Sequence, residues 1–441
     1  MLRGPIARNM IVFALPLLAS GVLQQSFNAV DVAVVGRWCS KQALAAVGSN
    51  GMIISLIVNL FIGVSVGANV VIANYIGRGD MSGVRRAVRT AMSIALVSGL
   101  ALLFIGWAAA RPLLEFMDTP ADVIDLSTEY LQIFFMGMPF MMIYNFGSAV
   151  LRSKGDTRRP FYALTAGGLV NVVLNLIFVL GLGMDVDGVA IATVTANGVN
   201  AALILYYLWR ESDPYRWMPR RLQFDRGELS RELRIGVPAG VQGMLFSISN
   251  VFVQSAINRL GSDAVAGSAA AVNYEMYCYF LIVAVNQAVV AFMAQNYGAG
   301  NVARCRRIFL IGMLLGTASS CVANLGIAAF GDFFVGLFSR EPEVLAFGVL
   351  RVDHVLAFQF IATSYEISGA AMRGLGYSVM PTVITVFGSC LLRIVLIHIM
   401  FAVGYDFTDL MNLYPLSWSV TGAMMLVAYF LISRRAYAHI S

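Results

Sequence analysis

Three carboxylates interrupt otherwise apolar stretches of this chain: Asp31, in LQQSFNAVDVAVVGRW (23–38), and Glu275 and Glu366. A charged side chain at mid-membrane costs about 2.5–3.5 kcal/mol on insertion scales, so each of these acids calls for a proton, a cation or a partner. Asp31 has polar company at its own depth. Asn171 and Asn175 lie one helical turn apart on one face, and Thr193 follows on the next apolar stretch. At ~1.5 Å rise per residue, Asp31, Asn175 and Thr193 sit roughly 9, 12 and 8 Å below the outer ends of their helices. A carboxylate, two amides and a hydroxyl at similar depth form an oxygen-rich pocket. Such a pocket suits a proton on Asp31, or a small hard cation such as Na⁺ shared among Asp31, Asn171, Asn175 and Thr193. The plainer alternative is a hydrogen bond that only ties helices together.

Pro16 precedes Asp31 by fifteen residues in the same helix. It removes a backbone hydrogen bond and permits a kink, either as a hinge or as a static bend. In the second half of the chain Glu275, Glu366 and Arg393 all fall near mid-depth, with Asn250 as a further polar candidate. Arg393 is as costly there as the acids and is expected to pair with one of them; the sequence leaves open which. No catalytic constellation accompanies these residues. The chain has no GxxxxGK[ST] loop and no HExxH, so neither ATP hydrolysis nor an enzyme is expected, and no cofactor beyond a coupling H⁺ or Na⁺. The five cysteines are scattered, without a CxxC, and indicate neither a disulfide framework nor a zinc site.

The elements that carry these residues follow from composition. With 441 residues, 59% hydrophobic and 12% charged, and a mean hydropathy of +0.76, the chain reads as an all-α polytopic membrane protein. Stretches long enough to cross a bilayer occur near 10–37, 44–74, 87–110, 127–151, 160–183, 188–209, 232–259, 264–296, 307–331, 347–372, 380–404 and 412–433. One long polar interruption, 210–231, divides these twelve spans six and six. The expected division is an N-terminal lobe over 1–209, a cytoplasmic linker over 210–231 and a C-terminal lobe over 232–441. Of the 30 basic residues 28 are Arg, and 23 Lys and Arg fall on the side of the termini and linker against 6 opposite. By the positive-inside rule both termini are cytoplasmic, and the net charge of +6 marks topology rather than a nucleic-acid partner. Of the 24 acids, 14 lie in outer loops or at outer span ends, 7 in inner loops or at inner span ends, and only the three named above lie deep within spans.

The two halves repeat. FALPLLASG (13–21) aligns with IGVPAGVQG (235–243), NYIGRGDMSGVRR (74–86) with NYGAGNVARCRR (296–307), and LRSKGDTRRP (151–160) with MRGLGYSVMP (372–381), at an offset of 221 or 222. Six spans per copy give parallel repeats about the membrane normal, hence two pseudo-symmetric six-helix lobes around a central cavity, the arrangement of many transporters.

The QQ…N…VD…VVGR pattern of the first span, the NY-G-G stretches with trailing arginines and the LR-x-x-G-D-T-x-x-P loop resemble the multidrug and toxic compound extrusion (MATE) transporters, over nearly the whole chain. The resemblance is to the prokaryotic branch that includes the DNA-damage-inducible F proteins, within the MOP flippase superfamily. It implies an N-lobe proton or cation site at Asp31, Asn171 and Thr193; where many relatives carry aspartate, this chain has Asn175. It also implies a helix-one bend at Pro16. Another branch places acids on spans seven and ten; Glu366 meets the second, while span seven offers amides such as Asn250. The function implied is cation-coupled antiport, by H⁺ or Na⁺, exporting lipophilic, cationic small molecules by alternating access. The alternative is a flippase or exporter of a lipid-linked or amphipathic metabolite. A bacterial or archaeal cytoplasmic membrane, contact with membrane lipid, small-molecule substrates and a monomer complete the expectation.

Overall fold

The computed structural model describes residues 1–117, 119–217 and 222–438, and among them there is helix but no strand. Asp118 and linker residues 218–221 lie outside the described residues. The helices run α1 (Ile6–Trp38), α2 (Lys41–Arg78), α3 (Met81–Phe116), α4 (Ile124–Met136), α5 (Met138–Ser153), α6 (Arg158–Gly181) and α7 (Val186–Arg210). After the linker come α8 (Arg226–Asn258), α9 (Ser262–Gly298), α10 (Val302–Ala328), the short α11 (Gly331–Gly336), α12 (Pro342–Gly374), α13 (Val379–Val403) and α14 (Phe407–Ala438). Eleven of these are individually long and apolar enough to cross a membrane, and α4 with α5 supplies the twelfth as a pair bent by 45°. The bend falls at Gly137-Met138-Pro139, where Pro139 has no N–H to continue the helix ladder. The chain is a multi-pass membrane protein of the expected twelve-span class.

The sequence repeat reappears as repeated local geometry. Gly79 (φ 73°) and Gly300 (φ 70°), 221 residues apart, end α2 and α9 in the left-handed conformation that only glycine adopts freely. The next residues, Asp80 and Asn301, cap α3 and α10 by accepting from the Gly83 and Arg304 amides. The Gly83 amide, with the Ser82 hydroxyl, holds the carboxyl of half-exposed Asp80 below the ordinary aspartate range.

By contact the chain forms two compact units, Ala19–Gly236 and Met1–Leu18 with Val237–Ser441. α1 continues as one helix through Pro16 and leaves one unit for the other after Leu18; α8 does the same after Gly236, two residues before Pro238. In the unit Ala19–Gly236, an apolar cluster of Val34, Val35, Ala43, Ala46, Tyr130, Val179, Val186 and Val189 fills the space among α1, α2, α4, α6 and α7. On the linker side, Glu211 at the end of α7 accepts from Lys154 (2.6 Å) and Arg159 (2.5 Å). Burial alone would raise the Glu211 carboxyl, but these two cations outweigh it and hold it below its ordinary range. In the other unit, Arg304 donates to the carbonyls of Met1, Arg3 and Gly4 (3.1, 3.3 and 2.9 Å), fastening the start of the chain to the first turn of α10.

Candidate ion-coupling site

α1 and α6 meet without a side chain between them at Gly168. A Cβ there would stand 1.8 Å from the Phe27 ring, so only glycine lets Phe27 lie on the α6 backbone. One turn further along α1 is Asp31, and two turns further along α6 is Asn175 (i, i+4 against i, i+7). The close packing at Phe27 therefore delivers the Asp31 carboxylate to the Asn175 amide. Asn175 Nδ2 donates to Asp31 Oδ1 at 2.5 Å and lies 3.2 Å from Asn171 Oδ1. Asn171 Nδ2 in turn donates to Thr193 Oγ1 at 3.3 Å, and that hydroxyl donates to the Val189 carbonyl at 3.0 Å. The four residues named from sequence are thus one hydrogen-bonded chain across α1, α6 and α7. Asn171 and Asn175 are buried, Asp31 and Thr193 half-buried, and the apolar cluster described above borders them.

The α-helical ladder of α6 ends at Asn175, where Leu176–Gly181 winds as a π-helix. Wider turns of this kind redirect side chains and are frequent at functional sites. One further atom points to an absent partner: Asn175 Oδ1 is buried and accepts no hydrogen bond. Buried acceptors are rarely left unpaired. The oxygens fit a proton or a monovalent cation, with the Asp31 carboxylate as the single charge and the Asn175, Asn171 and Thr193 oxygens as neutral ligands. No cluster of three or more His, Cys, Asp or Glu able to hold a metal ion occurs among the described residues.

The polar residues of the second half are arranged differently from the expectation. Arg393 pairs with neither acid. It is fully buried, donates from Nε to Ser417 Oγ at 2.8 Å, and lies over the rings of Tyr414 (4.6 Å), Phe246 (5.5 Å) and Trp418 (5.9 Å). No ion pair to it occurs among the described residues, and aromatic faces carry the charge instead, an interaction of about 2 kcal/mol when desolvated. Glu275 is paired instead with Arg351, a residue near the start of the predicted 347–372 span. The pairing is bidentate, Nε to Oε1 at 2.6 Å and Nη2 to Oε2 at 3.0 Å, with Ser268 (2.7 Å) taking a third guanidinium hydrogen. Glu366 accepts from Tyr279 (2.8 Å) and Asn286 (2.7 Å). Asn250 is exposed on α8 and is not joined to either acid.

Comparison with known proteins reports the repeat directly. The MatE family model matches it twice, over residues 16–177 and 238–399, each copy starting at one of the repeated prolines. The chain belongs to the MatE family. It is 30% identical to the probable multidrug resistance protein YoeA of Bacillus subtilis over 86% of this chain and 84% of that protein. It is 24% identical to the FAD transporter of Shewanella oneidensis over 78% and 77%. A solved structure of an outward-facing multidrug resistance MATE family transporter of the MOP superfamily superposes with a TM-score of 0.89 at 22% identity, covering 100% of this chain and 97% of that one. MATE proteins are multidrug efflux transporters rather than enzymes, and this chain shares their fold from end to end.

Within that MATE fold, Arg351 is the polar residue that sequence reading did not single out. It sits just before the π-helical stretch Val352–Leu356 of α12, whose irregular winding was not visible in the apolar pattern. The only signal for it was the excess of acids over bases at mid-depth if Arg393 is set aside, and that signal names no partner.

Proposed function

We propose that this MATE transporter is an ion-coupled exporter of lipophilic cations, with Asp31 as the coupling carboxylate and Asn171, Asn175 and Thr193 as its ligand partners. The observation that carries this reading is the unbroken Asp31–Asn175–Asn171–Thr193 hydrogen-bond chain with a buried, partnerless amide oxygen in its middle. As drawn, Asn175 donates to Asp31 and so favours the ionised carboxylate. A protonated Asp31 needs an acceptor instead, and rotation of the Asn175 amide would turn Oδ1 towards it. One asparagine thus serves both states of the acid. Entry of H⁺ or Na⁺ neutralises Asp31, the amide re-registers, and the change is passed along α1 to the proline at its middle. Both termini and the linker lie on the cytoplasmic face in this reading, following the arginine distribution.

The deciding experiment is ethidium efflux from proteoliposomes, driven separately by an inward proton gradient and an inward sodium gradient, with wild type and Asp31→Asn. Wild type is expected to pump on one gradient and the variant on neither, a loss of at least about tenfold if one coupling interaction of ~1.4 kcal/mol is removed. Equal pumping by the variant would remove Asp31 from coupling. A second reading, export of an amphipathic metabolite, is favoured by two things: a family relative that is an FAD transporter, and the Arg393 cation held without a counter-ion. Efflux of an anionic amphiphile but not of ethidium would select it.

A further inference from the structure

Glu232 counts as an inner-loop acid by sequence, yet it is fully buried in the second turn of α8, and neither carboxylate oxygen has a hydrogen-bond partner among the described residues. The packing explains why nothing else reaches it. α8 lies backbone to backbone on α2 here: a Cβ on Gly67 would stand 2.1 Å from the Glu232 carbonyl oxygen, and one on Gly236 would stand 2.4 Å from the Val64 carbonyl oxygen. At these two glycines the backbones of α2 and α8 are in direct contact. One turn earlier on α8, Glu228 has taken the available donors. It accepts from the Tyr75 hydroxyl on α2 (2.8 and 3.0 Å), lies 3.5 Å from Arg86 on α3 and 3.5 Å from Arg231 on α8, while Arg231 also bonds Tyr75. Of the charged groups nearby, Glu228 lies one turn away on the same helix, and the donors gathered there, Tyr75 on α2, Arg86 on α3 and Arg231 on α8, are engaged by Glu228.

An ionised carboxylate without a donor, a counter-ion or water is the costliest arrangement a folded protein can hold, and such a group neutralises instead. We propose that Glu232 is a second proton-binding site, on the linker side of the unit Ala19–Gly236, holding a proton while the start of α8 is seated on α2. The neutral carboxyl seals the α2–α8 contact, and water reaching that contact would draw the proton off and unseat the helix. The α2–α8 packing and the unpartnered Glu232 oxygens carry this site independently of the role given to Asp31.

Two measurements on the purified transporter test it. Difference infrared spectra in the protonated-carboxyl region, at neutral pH, should contain a band that Glu232→Gln removes and Asp31→Asn leaves in place; a spectrum unchanged by Glu232→Gln would overturn the assignment. The second is apparent Tm against pH. A carboxyl protonated in the folded protein and ionised in the unfolded chain means that the folded state binds the extra proton, so wild-type stability falls as pH rises above the ordinary glutamate range. Glu232→Gln, and the apolar Glu232→Met, should raise Tm at pH 8 and flatten that fall. Lower Tm at pH 8 in both variants, with wild-type stability rising with pH, would show an ionised, stabilising Glu232 and overturn the proposal.

Discussion

Asp31 and Glu275 are both acids inside apolar helices, and their neighbours give them opposite capacities. Glu275 faces a guanidinium that satisfies both of its oxygens, with a serine and a tyrosine hydroxyl completing the set. Its charge is neutralised permanently, which suits a structural tie between α9 and α12. Asp31 faces an amide, which can donate or accept, and so keeps both protonation states within reach. This difference predicts how each responds to loss of its partner. Arg351→Met leaves the Glu275 charge buried and unpaired, and should cost about 3–5 kcal/mol of stability. Arg351→Met combined with Glu275→Leu should recover most of that loss, because a well-packed apolar pair often replaces a buried ion pair without penalty. Apparent Tm of the two single variants and the double variant checks this; no recovery in the double variant would mean that the pair is not the tie.

At the scale of elements, the proposed ion site depends on a helix crossing more than on its own ligands. Gly168 permits Phe27 to lie against α6, and every contact from Asp31 to Thr193 inherits that distance. Gly168→Val should push α1 off α6, at about 1–3 kcal/mol for an overpacked contact, and stretch the Asp31–Asn175 bond beyond use. Phe27→Ala in the same chain removes the clashing ring and should restore part of the efflux, a rescue that a general folding defect would not show. The site's residues were legible in the sequence because depth follows from helical rise, and Asp31, Asn175 and Thr193 share a depth below the outer ends of the first, fifth and sixth spans. Gly168 was not legible, since nothing in the sequence says which face of α6 meets α1. Arg393 was misread, and Arg351 missed, for a related reason. Charge counting sees only opposite charges, whereas the fold gave Arg393 three aromatic faces and reserved Glu275 for a residue 76 positions away. Glu232 was hidden because the apolar run begins at its own position, and its burial is imposed by two glycines on facing helices.

For the whole molecule, the twelve spans and the repeat were legible because both rest on periodicity and offset, which survive any choice of partners. The assignment of chain to compact units was not, because hydropathy cannot tell that a continuous helix changes company at its middle. Residues Met1–Leu18 belong with Val237–Ser441, and the first turns of α8 belong with Ala19–Gly236. A fragment of residues 1–209 therefore lacks the α8 turns that close its unit and carries eighteen residues that close the other one. Expressed alone it should give no monodisperse peak on size exclusion, whereas co-expression with residues 210–441 should give one at the size of the intact chain. A stable, monodisperse 1–209 fragment would contradict this. The exchanged helix ends also bear on origin. Had each repeat begun as a separate chain with the same division, the two copies would have traded amino-terminal segments in a homodimer, and gene fusion would have turned a reciprocal exchange between chains into one within a chain.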